Sequence, residues 1–141
     1  MDKQIINPSE LANATPFGYT LLSYPITTKI NHISDKPLNG GTAFVILYSI
    51  SIILKPSHNY KSFECSSVTL KLFSSILAVF NIYRPSTSSK YSHPICVFLD
   101  EFQNFLSSAA TTPHEFIITC DFNIHLDDSL DSSCKTFIDL L

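Results

Sequence analysis

The chain has 141 residues, of which 45% are hydrophobic, 12% aromatic and only 15% charged, against roughly 25% charged in a typical soluble domain. This composition excludes a disordered tail, which requires low hydrophobicity and high net charge. The formal net charge of −3 is not that of a globally basic nucleic-acid-binding protein.

The first half of the chain predicts a short helix followed by strands. Asn7-Pro8-Ser9-Glu10 is typical of a helix start, and that helix must end before Pro16. Gly40 and Gly41 close a segment with a loop composition at residues 31–41. Enrichment in β-branched and aromatic residues predicts strands at residues 19–24, 42–48, 63–71 and 76–83.

The second half predicts a helix, a strand and a last helix. Apolar residues at helical spacing from Ile95 to Leu106 predict an amphipathic helix, and Asp100 and Glu101 lie on its polar face. Residues 115–120 form a short apolar strand pattern. A last helix beginning near residue 131 would bury Phe137, Leu140 and Leu141. The strand–helix–strand order of residues 76–120 is typical of a crossover unit and favours a mixed or parallel sheet with helices packed on it.

No membrane or secretory segment is recognisable. The most apolar run, residues 42–54, is shorter than the roughly 20 residues of a spanning helix and contains Ser49 and Ser51, so we interpret it as a buried strand. The N-terminus has no basic region leading into an apolar one. We expect an intracellular protein, with the nucleus as one candidate location, no membrane partner and no protein partner identifiable from the residues.

The cysteines and most histidines do not form a metal-binding pattern. The four cysteines are widely spaced, and we expect reduced thiols, with a disulfide as the less favoured alternative. Cys65, Cys96 and Cys120 lie in apolar patterns where Cys behaves as a small hydrophobe. The histidines at positions 32, 58, 93 and 114 lack metal-ligand spacing, and we expect them in solvated loops.

The residues best suited to chemistry follow the strand at 115–120. Asp121 and Asn123 are two residues apart at its C-terminal end, where open α/β sheets place their sites. A carboxylate there can ligate Mg²⁺ or orient a water, and an amide can contact a phosphate oxygen. Asp-x-Asn alone is a weak signal, because the same residues form turns and helix caps.

Several short sequence motifs follow one another along the chain. They are Asn7-Pro8, Pro16-Phe17-Gly18-Tyr19, Gly40-Gly41-Thr42-Ala43-Phe44-Val45-Ile46-Leu47, Phe63-Glu64, Ile82-Tyr83-Arg84-Pro85 and Asp121-Phe122-Asn123-Ile124-His125. They resemble successive blocks of the endonuclease/exonuclease/phosphatase family, and more narrowly the apurinic-type endonuclease domain of non-LTR (LINE-like) retrotransposons. We interpret residues 1–141 as an incomplete domain of this family, best matched over residues 40–141.

The resemblance implies an α/β fold, part of a four-layered α/β sandwich with mixed β-sheets, and Mg²⁺-dependent hydrolysis of a DNA phosphodiester. Asp121 matches the catalytic aspartate, Asn123 the asparagine that holds it, and Tyr83 the tyrosine that reaches the phosphate. Arg84 is expected at the groove edge, where it would contact substrate. His125 is a second candidate substrate contact, although a loop-forming role is favoured for it and for the neighbouring Asp127 and Asp128.

The sequence also departs from the family pattern. Lys3 stands where the family has a metal-binding glutamate, the Asp-His ending would fall beyond Leu141, and Cys120 replaces a glycine. Glu64 is favoured as structural rather than metal-binding, and the residues identify no metal ligand. We therefore expect a retroelement endonuclease remnant with little activity alone. A non-catalytic interaction module and a phosphatase-type relative acting on small phosphate esters stay open as alternatives.

Overall fold

The structure, a computed structural model, describes residue 13 and residues 15–25, 41–54, 57–86, 93–124 and 132–140. The start of the predicted first helix at residues 7–10 and nearly all of the predicted loop at residues 31–41 lie outside this part of the chain. Within it, the elements in chain order are β1 (Tyr19–Pro25), β2 (Gly41–Leu47), β3 (Ser51–Leu54), β4 (Ser57–Asn59), β5 (Glu64–Lys71), β6 (Ile76–Tyr83), α1 (Ile95–Ala110), β7 (Glu115–Asp121) and α2 (Ser132–Asp139).

Most of these strands and both helices were predicted, but the run at residues 42–54 is not one buried strand. The chain turns at its middle, where the N–H of Ile50 donates to the carbonyl oxygen of Leu47 at 2.9 Å. The two halves, β2 and β3, then enter different sheets. The side chain of Val45 is also half exposed. The run is therefore less buried than its apolar composition predicts. The short strand β4 had no sequence signal.

The strands form two sheets. β1 and β2 pair antiparallel, and the second, five-stranded sheet has the order β3-β5-β6-β7, with β4 also paired to β5. In this second sheet β5 is antiparallel to β3, β4 and β6, whereas β7 is parallel to β6. The parallel pair is joined through α1, which confirms the predicted crossover unit. The architecture is mixed α/β with a mixed sheet, as expected.

One face of the larger sheet packs against α1 through an aromatic core. Phe98, Phe102 and Phe105 lie on one face of α1 and are buried, as expected from their spacing. They contact side chains from β5, β6 and α2. The buried members of this cluster are Phe63, Cys65, Ala78, Phe80, Ile82, Phe98, Phe102, Phe105, Ala109 and Phe137. In α2, Phe137 is buried as predicted, whereas Leu140 is only half-buried and Leu141 lies outside the described residues.

The opposite face of the larger sheet packs against the β1–β2 pair. Ile46 of β2 contacts Val68 and Leu70 of β5 in a second, smaller apolar cluster. Next to it, the buried hydroxyl groups of Thr42 and Ser66 hydrogen-bond each other across the two sheets. The described part of the chain therefore has three layers: helices, a mixed sheet and a two-stranded sheet.

The strand β7 is not the buried strand that its composition predicted. Among its residues only Ile118 is half-buried, and Ile117 is 49% exposed. The physical reason is its position, because within the described residues β6 is the strand that pairs with it and its other edge is unpaired. The carboxyl end of β7 is therefore accessible.

The expectations for His58 and for two of the cysteines need correction. His58 is not a solvated loop residue, because it lies in β4, half-buried, with Nε2 2.9 Å from the hydroxyl oxygen of Ser67. The thiols are free, as expected, but of the three cysteines placed in apolar patterns Cys96 and Cys120 are exposed and only Cys65 is buried. No helix in the described ranges has the length and apolar character needed to cross a membrane.

A residue on the polar face of α1, Glu101, also binds the segment that precedes β5. The carboxylate of Glu101 accepts hydrogen bonds from the hydroxyl of Ser62 at 2.6 Å, from the N–H of Ser62 at 2.9 Å and from the N–H of Lys61 at 3.1 Å. Burial raises the pKa of this carboxyl, but the hydrogen bonds from Ser62 and Lys61 outweigh that effect and hold it below its usual value. Glu101 thereby fixes the segment that leads into β5.

Candidate active site

The candidate site lies at one end of the sheet face that points away from α1. Residues paired across neighbouring strands share a face. The pairing of Glu64 with Tyr83, and of Tyr83 with Asp121, therefore places these three in one row across β5, β6 and β7. Because Tyr83 and Asp121 end their parallel strands, the row lies at the carboxyl edge, where α/β sheets present their sites.

The polarity of this face changes along the strands. The next row, one pleat further from the carboxyl edge, consists of Ser66, Asn81 and Thr119, and the row after that of Val68, Val79 and Ile117. Polar side chains are therefore concentrated at the end of the face that holds Tyr83 and Asp121, and the apolar rows continue into the packing against β1 and β2. The structure brings two of the predicted catalytic residues together in this polar region.

The third predicted catalytic residue, Asn123, is joined to this row through the main chain of Arg84. The side-chain nitrogen Nδ2 of Asn123 donates to the carbonyl oxygen of Arg84 at 2.6 Å. The N–H of Arg84 donates to the carbonyl oxygen of Asp121 at 2.9 Å. These two bonds extend the pairing of β6 and β7 by one residue and hold the Asp-Phe-Asn segment beside Tyr83.

Asp121 and Asn123 are related by a turn rather than by strand alternation. Asn123 has a φ of 49° in the left-handed region, which Asn tolerates better than most residues. Its N–H donates to Oδ1 of Asp121 at 3.3 Å, the pattern of an Asx turn. The expectation that both side chains extend from one strand face is therefore wrong. The turn instead orients the exposed carboxylate of Asp121.

The side chain of Arg84 is not at a groove edge. It is 2% exposed, its Nη1 donates to the carbonyl oxygen of Phe122 at 3.1 Å, and its guanidinium carbon lies 5.1 Å from the centre of the Phe98 ring. Burial lowers the pKa of Arg84, and its Nη2 is buried with no hydrogen-bond partner among the described residues. Arg84 thus contacts Asp121, Phe122 and Asn123 in succession and braces the segment from below.

Phe122, to which the sequence assigned no role, anchors the same segment in the aromatic core. Its ring centre lies 5.0 Å from those of Phe102 and Phe137 and 5.5 Å from that of Phe98. An apolar residue between two polar ones at a strand end is the signal that could have identified it, because only the middle side chain can point inward there. The core therefore fixes Phe122, and Phe122 fixes its two polar neighbours.

Cys120 stands beside the site. Burial raises the pKa of its thiol, and the negative charge of the neighbouring Asp121 raises it further. The other predicted residues of this block, His125, Asp127 and Asp128, lie outside the described residues.

A magnesium site is not completed by the residues that the structure describes. Among them no three His, Cys, Asp or Glu side chains lie close enough together to hold a metal ion. Proteins commonly hold Mg²⁺ through one or two carboxylates beside substrate phosphate and water, and the row offers Asp121 and Glu64 on strands that β6 separates. The described side chains alone therefore do not complete a site around a resident ion, so no step is assigned to one.

Comparison with known proteins identifies the fold. No protein-family model matches the sequence, and no curated protein matches it. Solved structures do match: the human Nocturnin catalytic domain with a bound sulfate anion has a TM-score of 0.55 at 14% identity and 92% coverage of this chain. The fold is that of the endonuclease/exonuclease/phosphatase family.

Two structures from Bacteroides thetaiotaomicron support the same conclusion. An endonuclease/exonuclease/phosphatase family protein and a mannosyl-6-phosphatase each match with a TM-score of 0.53, 16% identity and 86% coverage of this chain. The chain spans only about half the length of these neighbours, 50%, 46% and 48% in the order given. The likeness shows the fold, and the neighbours include a phosphatase.

Proposed function

We propose that the polar edge formed by Asp121, Asn123 and Tyr83 is a phosphodiester-directed hydrolase site of the retroelement endonuclease type, with DNA as the substrate class. The observation that carries the proposal is the bracing of Asp121 and Asn123 by Arg84 next to Tyr83, at the carboxyl edge of a parallel strand pair. A sheet needs no such arrangement to fold, because many strand ends are closed by simpler turns.

The chemistry follows from the three side chains. The N–H of Asn123 orients the carboxylate of Asp121. This carboxylate accepts a proton from a water molecule as the water oxygen forms a bond to phosphorus. The phosphorus bond to the leaving alkoxide breaks, and that alkoxide takes a proton from solvent. The phenol of Tyr83 donates to a non-bridging phosphate oxygen as negative charge develops there. Positioning and charge stabilisation supply most of the catalysis in phosphoryl transfer.

We expect little hydrolysis by this chain alone. It spans about half of its structural neighbours, and the described residues supply no group of three metal-ligating side chains at the site. Its only arginine, Arg84, is buried and cannot contact a DNA backbone, so the exposed lysines would have to make those contacts. The proposal therefore assigns a site and a substrate class, with weak or no turnover.

The first experiment is a titration of the ¹⁵N-labelled chain with the phosphodiester dTpdT and, separately, with mannose 6-phosphate, followed by NMR. We expect dTpdT to shift the amide signals of residues 121–123 saturably and Asp121→Asn to alter this response. Glu115→Gln, at the other end of the same strand, is the matched control and should leave it unchanged. Saturable shifts from the monoester alone would favour the phosphatase-type alternative, which the mannosyl-6-phosphatase neighbour suggests.

A second experiment measures turnover and charge contacts. Supercoiled plasmid should remain intact with the chain in Mg²⁺, and nicking that is lost in Asp121→Ala would overturn the expectation of inactivity while supporting the site. DNA affinity should fall with salt if the lysines contact phosphates. If neither ligand perturbs residues 121–123 and DNA binding is absent, the phosphodiester proposal is wrong, and a non-catalytic interaction module is the better interpretation of the chain.

A further inference from the structure

A cleft of about 350 Å³ lies on the α1 side of the larger sheet, far along β6 from the candidate active site. It is bounded by Thr69, Ile76 and Ala78 of the sheet and by Ser108 and Ala109 of α1. We propose that this cleft binds a small, uncharged, planar aromatic molecule. The proposal does not depend on the phosphodiester site, which lies at the opposite end of β6.

The cleft exists because side-chain size changes along α1. The first half of the contact with the sheet is filled by Phe98, Phe102 and Phe105, whereas the last turns present Ser108 and Ala109. Ser108 and Ala109 on α1 face Thr69 and Ala78 on the sheet, and the resulting volume lies within the range of small-molecule sites, roughly 300–1,000 Å³.

The walls favour a flat ring. His58, Tyr60, Phe80 and Phe105 line one side, with ring centres 5.9 Å apart for His58 and Phe80, 6.2 Å for Tyr60 and Phe105, and 5.2 Å for Phe80 and Phe105. The last two pairs are edge-to-face. Phe80 and Phe105 are themselves buried, so the half-buried rings of His58 and Tyr60 are the ones most open to the cleft. An aromatic guest can continue this arrangement with offset or edge-to-face contacts.

The charge of the cleft favours a neutral guest. The described residues that line it include no Lys, Arg, Asp or Glu, so an ionic ligand would lose hydration without gaining a partner. The lining includes two histidines, His58 and His114, and burial lowers the pKa of His58, which favours the neutral form of that ring. The His58 ring and the Ser67 hydroxyl, 2.9 Å apart, instead provide a fixed polar group at the aromatic wall that can orient one ligand hydrogen bond.

Indole is a suitable probe because it is flat, uncharged and carries one N–H donor. In a ¹⁵N NMR titration of the full chain we expect saturable shifts confined to the cleft. Ser108→Phe places a ring in the cleft and should weaken indole binding at least about tenfold, or by about 1.4 kcal/mol. Ser107→Phe puts the same ring one position away on α1, outside the cleft, and should change the affinity by less than about twofold.

Two further comparisons test the chemistry. Indole-3-acetate, the anionic analogue, should bind at least about tenfold more weakly than indole, and equal binding would overturn the charge argument. Asp121→Asn should leave indole affinity unchanged, which separates this site from the phosphodiester site. His58→Phe keeps the aromatic wall and tests the polar group if Ser108→Phe fails to fold. Shifts outside the cleft, or affinity unaffected by both Ser108→Phe and His58→Phe, would refute the proposal.

Discussion

The bracing role of Arg84 can be tested by removing its side chain while leaving its main chain in place. In Arg84→Ala the N–H and carbonyl oxygen that bind Asp121 and Asn123 remain, because both are backbone groups. What disappears is the Nη1 bond to the carbonyl oxygen of Phe122 and the stacking of the guanidinium on Phe98. The variant therefore measures the contribution of the whole buried side chain of Arg84.

The size of the effect follows from these contacts. A hydrogen bond to a charged group contributes about 1.5–3 kcal/mol, and truncating a long buried side chain to Ala costs about 2–5 kcal/mol. These contributions overlap, and the unpaired Nη2 of Arg84 offsets part of them, so we expect a loss of about 4 kcal/mol. That is a large share of the roughly 5–15 kcal/mol that stabilises a domain.

The control is Arg84→Met, which keeps most of the length and volume but carries neither charge nor donors. It leaves the carbonyl oxygen of Phe122 without this partner but also removes the buried, unpaired Nη2. We expect a loss of no more than about 2 kcal/mol, measured by urea unfolding with circular dichroism. At about 4 °C per kcal/mol, the melting temperature of Arg84→Ala should fall by roughly 15 °C.

Two outcomes would refute this reasoning. If Arg84→Ala loses less than about 1 kcal/mol, the guanidinium does not brace the Asp-Phe-Asn segment, whatever its contacts suggest. If Arg84→Met is as unstable as Arg84→Ala, charge rather than packing carries the contribution.

Three other substitutions test the remaining contacts. Glu101→Gln should lower the free energy of unfolding by about 1–2 kcal/mol at pH 7. Because the folded-state pKa of Glu101 is lowered, this difference should be complete above the ordinary carboxyl pKa and should shrink as the pH falls through the folded value. Urea unfolding at several pH values measures it. Thr42→Val should lower the free energy of unfolding by about 1–3 kcal/mol, because it removes the Thr42 hydrogen-bond partner of the buried Ser66 hydroxyl. Asp121→Asn should speed alkylation of Cys120 by iodoacetamide about twofold or more, because Asp121 raises that thiol pKa.

Each of these has an internal control. Asp100→Asn, at the exposed position next to Glu101 on α1, should change stability by less than about 0.5 kcal/mol. Adding Ser66→Ala to Thr42→Val should recover most of the loss, since both polar partners are then gone; a neutral Thr42→Val alone would contradict the hydroxyl pairing. Alkylation of Cys96, the other exposed thiol, should be unaffected by Asp121→Asn, and an unchanged Cys120 rate would place the carboxylate elsewhere.

Most strands and the crossover could be read from the sequence because their patterns are local. The spacing of Phe98, Phe102 and Phe105 defines a helix face, and the strand–helix–strand order then requires a parallel pair, which β6 and β7 form. Exposure could not be read in the same way. Residues 115–120 have the composition of a buried strand, yet β7 is mostly exposed because burial depends on which strands pair with it.

The sequence predicts which residues form the candidate site but not the contacts that hold them in place. Asp121 is predicted from its position at a strand end and Tyr83 from the family resemblance, and the register places the two side by side. The roles of Arg84 and Asn123 depend on contacts between positions 39 apart in the chain, which no local pattern encodes. The inward position of Arg84 was missed because a charged residue at a strand end is usually solvated, and here the Phe98 ring and the Phe122 carbonyl oxygen replace that solvent.

The arrangement couples the site to the core in a way that constrains its study. Phe122 packs on Phe102 and Phe137, and its carbonyl oxygen receives the Arg84 guanidinium, so whatever loosens the aromatic core also releases Asp121. A core substitution such as Phe137→Leu should therefore broaden the NMR signals of residues 121–123 although it touches none of the polar side chains. Loss of ligand response in a destabilised variant is consequently no evidence for a catalytic role, whereas Asp121→Asn, whose carboxylate is exposed, separates chemistry from stability.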